Sequence, residues 1–199
     1  MKPLKCVLVG DGNVGKTSLM KTYKDKCFPG AYLATMSDSI NVTMQVDEKN
    51  YDLTVYDTAG QEAYDRLRPL TYPDTDVIVM CFSLVSKDSY DSIRDKWLAE
   101  VKQYCRDIPI VLVGTKLDMR SGNSKKDFAI MNGDRESTIA FNTISQEQGH
   151  WLKKEVGARF YVECSAKTQT STRDVFESAI MAAINPTKRK QRRNGCTIL

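Results

Sequence analysis

Eight residues near the amino terminus limit this chain more than any other feature. Gly10-Asp11-Gly12-Asn13-Val14-Gly15-Lys16-Thr17 fits the pattern G-x-x-x-x-G-K-[ST]. The apolar run Leu4–Val9 precedes it, and a helix-forming stretch from about Gly15 to Asp25 follows. Strand, glycine turn, helix is the setting in which this pattern works. Its glycines let the backbone fold back, so that the N–H groups of Gly12, Asn13, Val14, Gly15, Lys16, Thr17 and Ser18 face phosphate oxygens at the positive end of a helix. Lys16 would reach the β- and γ-phosphates, and the Thr17 hydroxyl would ligate Mg²⁺. The structural alternative, a tight turn carrying an exposed lysine, makes no use of this spacing.

The rest of the chain reads as alternating strands and helices. Ser39–Val46 and Tyr51–Tyr56 alternate apolar and polar at period two, with Asp47-Glu48-Lys49-Asn50 as a hairpin turn between them. Val77–Phe82 and Ile110–Gly114 are continuous apolar runs, as in parallel strands covered on both faces. Tyr90, Ile93, Trp97, Val101 and Tyr104 recur at three and four and line one helix face. Ser145 and Gln148 form a capping box for a helix that Gly157 closes, Arg159–Cys164 is a last strand, and Val175, Phe176, Ala179, Ile180 and Ile184 line a last helix. Trp97 and Trp151 are expected in the core or in helix packing. Such alternation predicts a doubly wound α/β sheet that binds ligands at the carboxyl ends of its strands.

Composition excludes several classes. The 199 residues, 41% hydrophobic and 27% charged, suit one globular domain over 1–185, with a polar surface insertion over about 120–142 and a tail over 186–199. Six scattered cysteines without a CxxC pair and a single histidine, His150, argue against zinc and against a disulfide framework. The apolar run at the amino terminus is too short for a signal peptide, and Val77–Val85 is half of what a membrane-spanning helix needs. The formal charge is +4, and Lys188, Arg189, Lys190, Arg192 and Arg193 account for all of the surplus. A basic surplus confined to a tail is unlike a folded nucleic-acid interface, so no nucleic acid is expected as partner.

Three more short motifs lie at strand ends. Asp57-Thr58-Ala59-Gly60-Gln61 places a carboxylate where it would hold a magnesium shell through water. In Thr115-Lys116-Leu117-Asp118 the aspartate can accept both N–H donors of a guanine edge, and in Cys164-Ser165-Ala166-Lys167 backbone N–H groups can meet the guanine carbonyl.

With these four motifs in this order, the chain resembles a Ras-superfamily small GTPase, and specifically a Rho-family member. The resemblance rests on the TKLD form of the guanine motif, on Asp57–Glu62 followed by Tyr64-Asp65-Arg66-Leu67-Arg68-Pro69-Leu70, on Cys81–Val85, and on the insertion after Asp118. It implies a P-loop fold: a six-stranded, mostly parallel sheet with one antiparallel edge hairpin strand and helices on both faces. It further implies GDP or GTP with Mg²⁺. Thr17, Thr35 and Asp57 (through water) would serve the metal, Gly60 and Lys16 the γ-phosphate, and Gln61 the attacking water. Phe28 would pack on guanine and Tyr32 would lie over the phosphates, with Thr115, Lys116, Asp118, Ser165, Ala166 and Lys167 around the base. Partners by resemblance are an exchange factor, a GTPase-activating protein, a dissociation inhibitor and an effector whose identity the sequence does not name, acting on a monomer, with actin regulation as the expected output. Unassisted turnover of only ~10⁻⁴ per second suits a switch rather than a metabolic enzyme. The alternatives are a scaffold that stays GTP-bound and an ATP-using kinase; Gly12 and Gln61 speak against the first and Asp118 against the second.

The last four residues, Cys196-Thr197-Ile198-Leu199, form a C-a-a-X box with leucine last, which predicts geranylgeranylation of Cys196. One lipid plus the basic run suffices to hold an anionic membrane, so the expected location is the cytoplasm and the cytoplasmic face of the plasma membrane. The effector stretch departs from the common Rho pattern: Ala34 stands for proline, Ser37 for phenylalanine and Ile40 for tyrosine. Two aromatic anchors are thus absent, which predicts weak binding of the usual Rho-family effector kinases. Asn13 stands where alanine is usual, either as a tolerated polar side chain or as a perturbation that speeds GDP release.

Overall fold

The computed structural model describes residues 3–30, 37–120 and 143–185. In chain order these form β1 Leu4–Val9, α1 Lys16–Asp25, β2 Ser37–Val46, β3 Lys49–Thr58, β4 Val77–Ser83, α2 Lys87–Ser92, α3 Leu98–Tyr104, β5 Ile110–Thr115, α4 Leu117–Arg120, α5 Gln146–Val156, β6 Phe160–Glu163 and α6 Thr172–Ile184. Short 3₁₀ turns occupy Glu62–Tyr64 and Arg68–Thr71, and a turn of π-helix, Ile93–Trp97, joins α2 to α3. The strand order is β2-β3-β1-β4-β5-β6. Every pairing is parallel except β2 with β3. The chain turns in opposite directions on either side of β1, and the phosphate loop leaves β1 at that switch point, where open α/β sheets bind ligands.

Each strand buries alternate residues on opposite faces, so the sheet carries two cores. Cys6 and Leu8 of β1, Val79 and Cys81 of β4, and Val111 and Val113 of β5 pack with Leu19 and Met20 of α1 and Phe176, Ala179 and Ile180 of α6. Val7, Val9, Ile78, Met80, Phe82 and Leu112 face the other way, onto Tyr90, Ile93, Trp97 and Val101 and onto Leu152 and Val156 of α5. Among the described residues no helix is long and apolar enough to cross a membrane.

Local chemistry explains most boundaries. The hairpin turn is tighter than the polar run suggests. Only Asp47 and Glu48 lie outside the ladder, both left-handed at φ 47° and 62°, while Lys49 and Asn50 pair with Val46 and Gln45. Two successive positive φ values match the twist of the flanking strands. The capping box at the start of α5 is complete: Ser145 accepts from the Gln148 N–H, Gln148 accepts from the Ser145 N–H, and left-handed Gly157 ends the helix. Two expectations need correction. Trp151 is 53% exposed rather than packed, because it stands on the outer side of α5 while Leu152 faces the sheet. Tyr104 is 48% exposed: the π turn inserts a residue and shifts the helical phase, leaving Tyr104 at the rim, stacked on Tyr72 at 5.7 Å.

Candidate functional site

The phosphate loop is fixed by what surrounds it. Gly10 has φ 141°, and a Cβ there would fall 2.1 Å from the Cys81 carbonyl oxygen, so only glycine fits between β1 and β4. Gly15 takes φ 102° as the N-cap of α1 and Asn13 takes φ 61°. Asparagine is among the few non-glycine residues that adopt a left-handed conformation readily. The fit between residue and backbone supports the reading of Asn13 as tolerated. Thr115 Oγ1 lies 2.5 Å from the Val14 carbonyl oxygen and 2.9 Å from that of Phe82, tying the loop to β4.

Lys16 is buried beneath the loop, and its ammonium donates to the carbonyl oxygens of Gly10 at 2.6 Å and Asp11 at 2.8 Å. Burial lowers its pKa, against the pull of Asp57, Cys81 and Asp11 in the other direction. A desolvated cation strapped across its own loop is a poised anion-binding group. The next residue, Thr17, donates its hydroxyl to Asp57 Oδ2 at 2.5 Å, and Asp57 is fully buried at the end of β3.

The segment after β3 closes on the loop from above. A Cβ at Gly60 would lie 2.3 Å from Gly10 O, 2.4 Å from Asp11 C and 2.5 Å from Gly12 N, all of them backbone atoms. Gly60 therefore packs directly on the phosphate loop. Exposed Gln61 stands beside Gly12, where a Cβ would meet its Cγ at 3.6 Å. The segment is anchored by Arg68, which is almost wholly buried. Its guanidinium donates to the Ala59 carbonyl oxygen at 2.8 Å, to Asp65 at 2.5 Å, and in parallel to Glu100 Oε1 at 2.7 Å and Oε2 at 2.8 Å. Tyr72 donates its hydroxyl to the same Glu100. Asp65 and Arg68 lie in the Tyr64–Leu70 stretch, but nothing in the sequence pairs Arg68 with Glu100, 32 residues further on.

The third cluster lies at the carboxyl ends of β5 and β6. Asp118 Oδ1 accepts from the Ser165 hydroxyl at 2.6 Å, and Leu117 N–H donates to Cys164 O at 3.1 Å. Ser165 is buried and also accepts from Thr168 N–H at 3.1 Å, which shapes the loop containing Ala166 and exposed Lys167. Lys116 takes φ 59°, and burial lowers its pKa against the opposing effect of Asp118. Gln169 donates its side-chain amide to Lys26 O at 2.9 Å, joining this loop to the end of α1, near Phe28 in sequence. Sequence reasoning missed Gln169. Phe28 is 42% exposed.

Phosphate loop, Asp57–Gln61 segment and base loops thus all lie at the carboxyl ends of the strands. Tyr32, Thr35 and Cys196 lie outside the described residues, as do all but the first residue of the insertion and the whole tail. Thr17 and Asp57 supply a neutral and an anionic oxygen side by side at the phosphate loop, a hard donor set that suits Mg²⁺. Among the described residues no group of three His, Cys, Asp or Glu could hold a metal by protein ligands alone. A cation shared between one or two protein oxygens and substrate phosphates is the arrangement Mg²⁺ favours.

A phosphate loop at the switch point of this sheet, with an aspartate-bearing loop for the base, defines a P-loop nucleotide-binding protein. The model of the Ras family matches residues 5–185, which covers every described element except the first residue of β1, and the chain belongs to that family. It is a small GTPase of the general Ras type, a class that binds GDP and GTP with Mg²⁺ and works with exchange factors, activating proteins and effectors.

Proposed function

We propose that the chain is a Rho-type switch that hydrolyses GTP to GDP and signals from membranes to the actin cytoskeleton. The observation that carries the hydrolytic part is the seating of Gly60 on Gly10–Gly12, with Gln61 beside Gly12. Gly60 thereby lies against the phosphate loop, where its N–H would donate to a γ-phosphate and Gln61 would orient a water against it. Lys16 and the loop N–H groups neutralise and position the phosphates. Thr17 and Asp57 would hold Mg²⁺, which when bound spreads charge from the β- and γ-phosphates. Asp118 selects guanine by accepting its two edge N–H donors. The Rho assignment rests on the sequence alone: TKLD, the stretch from Asp57 through Leu70, Cys81–Val85 and the insertion.

The C-a-a-X box at Cys196, which would be geranylgeranylated, and the adjoining basic residues support a membrane site, and exchange factor, activating protein and dissociation inhibitor of the Rho class are the corresponding partners. Ile40 is 5% exposed and belongs to the core, so its substitution for tyrosine alters packing under β2, while Asp38 and Ser39 face outward. Single-turnover GTP hydrolysis with a Rho-directed and a Ras-directed activating domain tests the assignment. Acceleration by the Rho-directed domain alone supports it, and acceleration by the Ras-directed domain alone overturns it.

A further inference from the structure

Trp97, one of the two tryptophans expected in the core or in helix packing, is fully buried at the end of the π turn. Its indole N–H nevertheless donates to Asp11 Oδ1 at 2.8 Å, across 86 residues of sequence. Asp11 is the second residue of the phosphate loop, and its main-chain carbonyl accepts from Lys16 Nζ at 2.8 Å. One residue therefore links helix to loop through its side chain and loop to the phosphate-binding lysine through its backbone. The other contact of the indole is equally pointed. The Arg68 guanidinium lies 4.5 Å from the Trp97 ring, while its N–H groups hold Ala59 O, one residue before Gly60. Glu100, one turn further along the same helical segment, fixes that guanidinium.

We infer that Trp97 is a positioning residue for nucleotide binding: its indole N–H holds the Asp11 carboxylate and so fixes the phosphate loop, while its ring seats the arginine that fixes the Gly60 segment. The inference rests on the reading of Gly10–Ser18 as the phosphate site. Its physical basis is preorganisation. A loop that must present its N–H groups to a polyphosphate binds well only if its backbone is already held in that shape. The bond from the indole N–H to Asp11 ties the loop to the helix, while the Asp11 carbonyl holds Lys16 in place. A hydrogen bond to a charged group is among the stronger ones, and loss of the donor leaves the acceptor unsatisfied in a partly buried place. The π turn has a role here too. It marks where the helix departs from regular phase, and it is the element that ends on Trp97.

The test uses the full chain loaded with a fluorescent GDP analogue, with dissociation followed after adding excess GDP in Mg²⁺. Trp97→Phe keeps an aromatic ring near Arg68 and deletes the N–H, together with part of the buried ring volume, so its melting temperature is measured alongside. Release is expected to quicken about tenfold or more, the scale of one lost hydrogen bond to a charged group. Asp11→Ala should quicken release to a similar degree, the double variant should be no faster than the worse single, and Asp11→Asn, which keeps an acceptor oxygen, should recover most of the difference from Asp11→Ala. This pattern separates positioning from bulk stability, because a merely structural tryptophan would lower the melting temperature with no dependence on residue 11. Should Trp97→Phe fail to fold, the Asp11→Ala and Asp11→Asn pair carries the test alone. Equal release rates in that pair, or additive effects in the double variant, overturn the inference. A wild-type chain that retains no guanine nucleotide would instead refute the phosphate-site reading beneath it.

Discussion

Replacing Arg68 by methionine probes the anchor of the Asp57–Gln61 segment most directly. The arginine side chain is 1% exposed and Glu100 is 14% exposed, so their paired hydrogen bonds are shielded from solvent. Asp65 is 40% exposed and contributes little once screening is allowed for. Removing one member of a buried ion pair typically costs about 3–5 kcal/mol, since the remaining charge is stranded. Here Glu100 keeps the Tyr72 hydroxyl, which places the loss near the lower end, at about 3 kcal/mol. For a chain of this size each kcal/mol moves the melting temperature by roughly 2–4 °C, so a fall of about 6–12 °C is expected. Calorimetry should compare both proteins with the same nucleotide bound, because ligand occupancy shifts the apparent stability. Adding Glu100→Gln to Arg68→Met removes the stranded charge and should restore part of the loss. A melting temperature within about 2 °C of wild type for Arg68→Met would refute the reasoning. So would a double variant that loses the full sum of both single effects.

Three further outcomes follow from the same contacts. Gly60→Ala puts a Cβ onto three backbone atoms of the phosphate loop, so the segment must lift; affinity for a non-hydrolysable GTP analogue should fall at least tenfold relative to GDP, as read by competition binding. Asn13→Gly should leave stability within a few tenths of a kcal/mol, whereas Asn13→Ala should cost about 1 kcal/mol in denaturant titration, because φ 61° suits the first and strains the second. At alkaline pH, burial and hydrogen bonds to Glu100 and Glu163 raise the pKa of Tyr72 and Tyr161 above 10.0. Their stabilisation is complete below the unfolded value and declines as pH rises from about 10 toward the folded values. Stability measured over that range should fall less steeply in a Tyr72→Phe variant than in wild type.

Much of the fold could be read from pattern because the sheet is regular. Continuous apolar runs marked β4 and β5, and the paired signals at Ser145, Gln148 and Gly157 marked both ends of α5. The site was legible where function is written in short motifs: the structure brings together Lys16, Thr17, Asp57 and Gly60, and separately Asp118 and Ser165. What escaped has a common cause. Arg68 with Glu100, Trp97 with Asp11, and Gln169 with Lys26 pair residues far apart in the chain, where periodicity carries no information. Trp151 failed for a different reason, since residue type predicts burial only on average and its place on α5 faces away from the sheet.

The central claim is that this site binds and hydrolyses GTP. It is tested most directly by loading the purified chain with GTP and Mg²⁺ and following the bound nucleotide by chromatography after denaturation. Conversion of bound GTP to bound GDP over minutes to hours, with no competition from ATP, is the predicted result. Retention of unchanged GTP, displacement by ATP, or absence of bound guanine nucleotide would contradict the account.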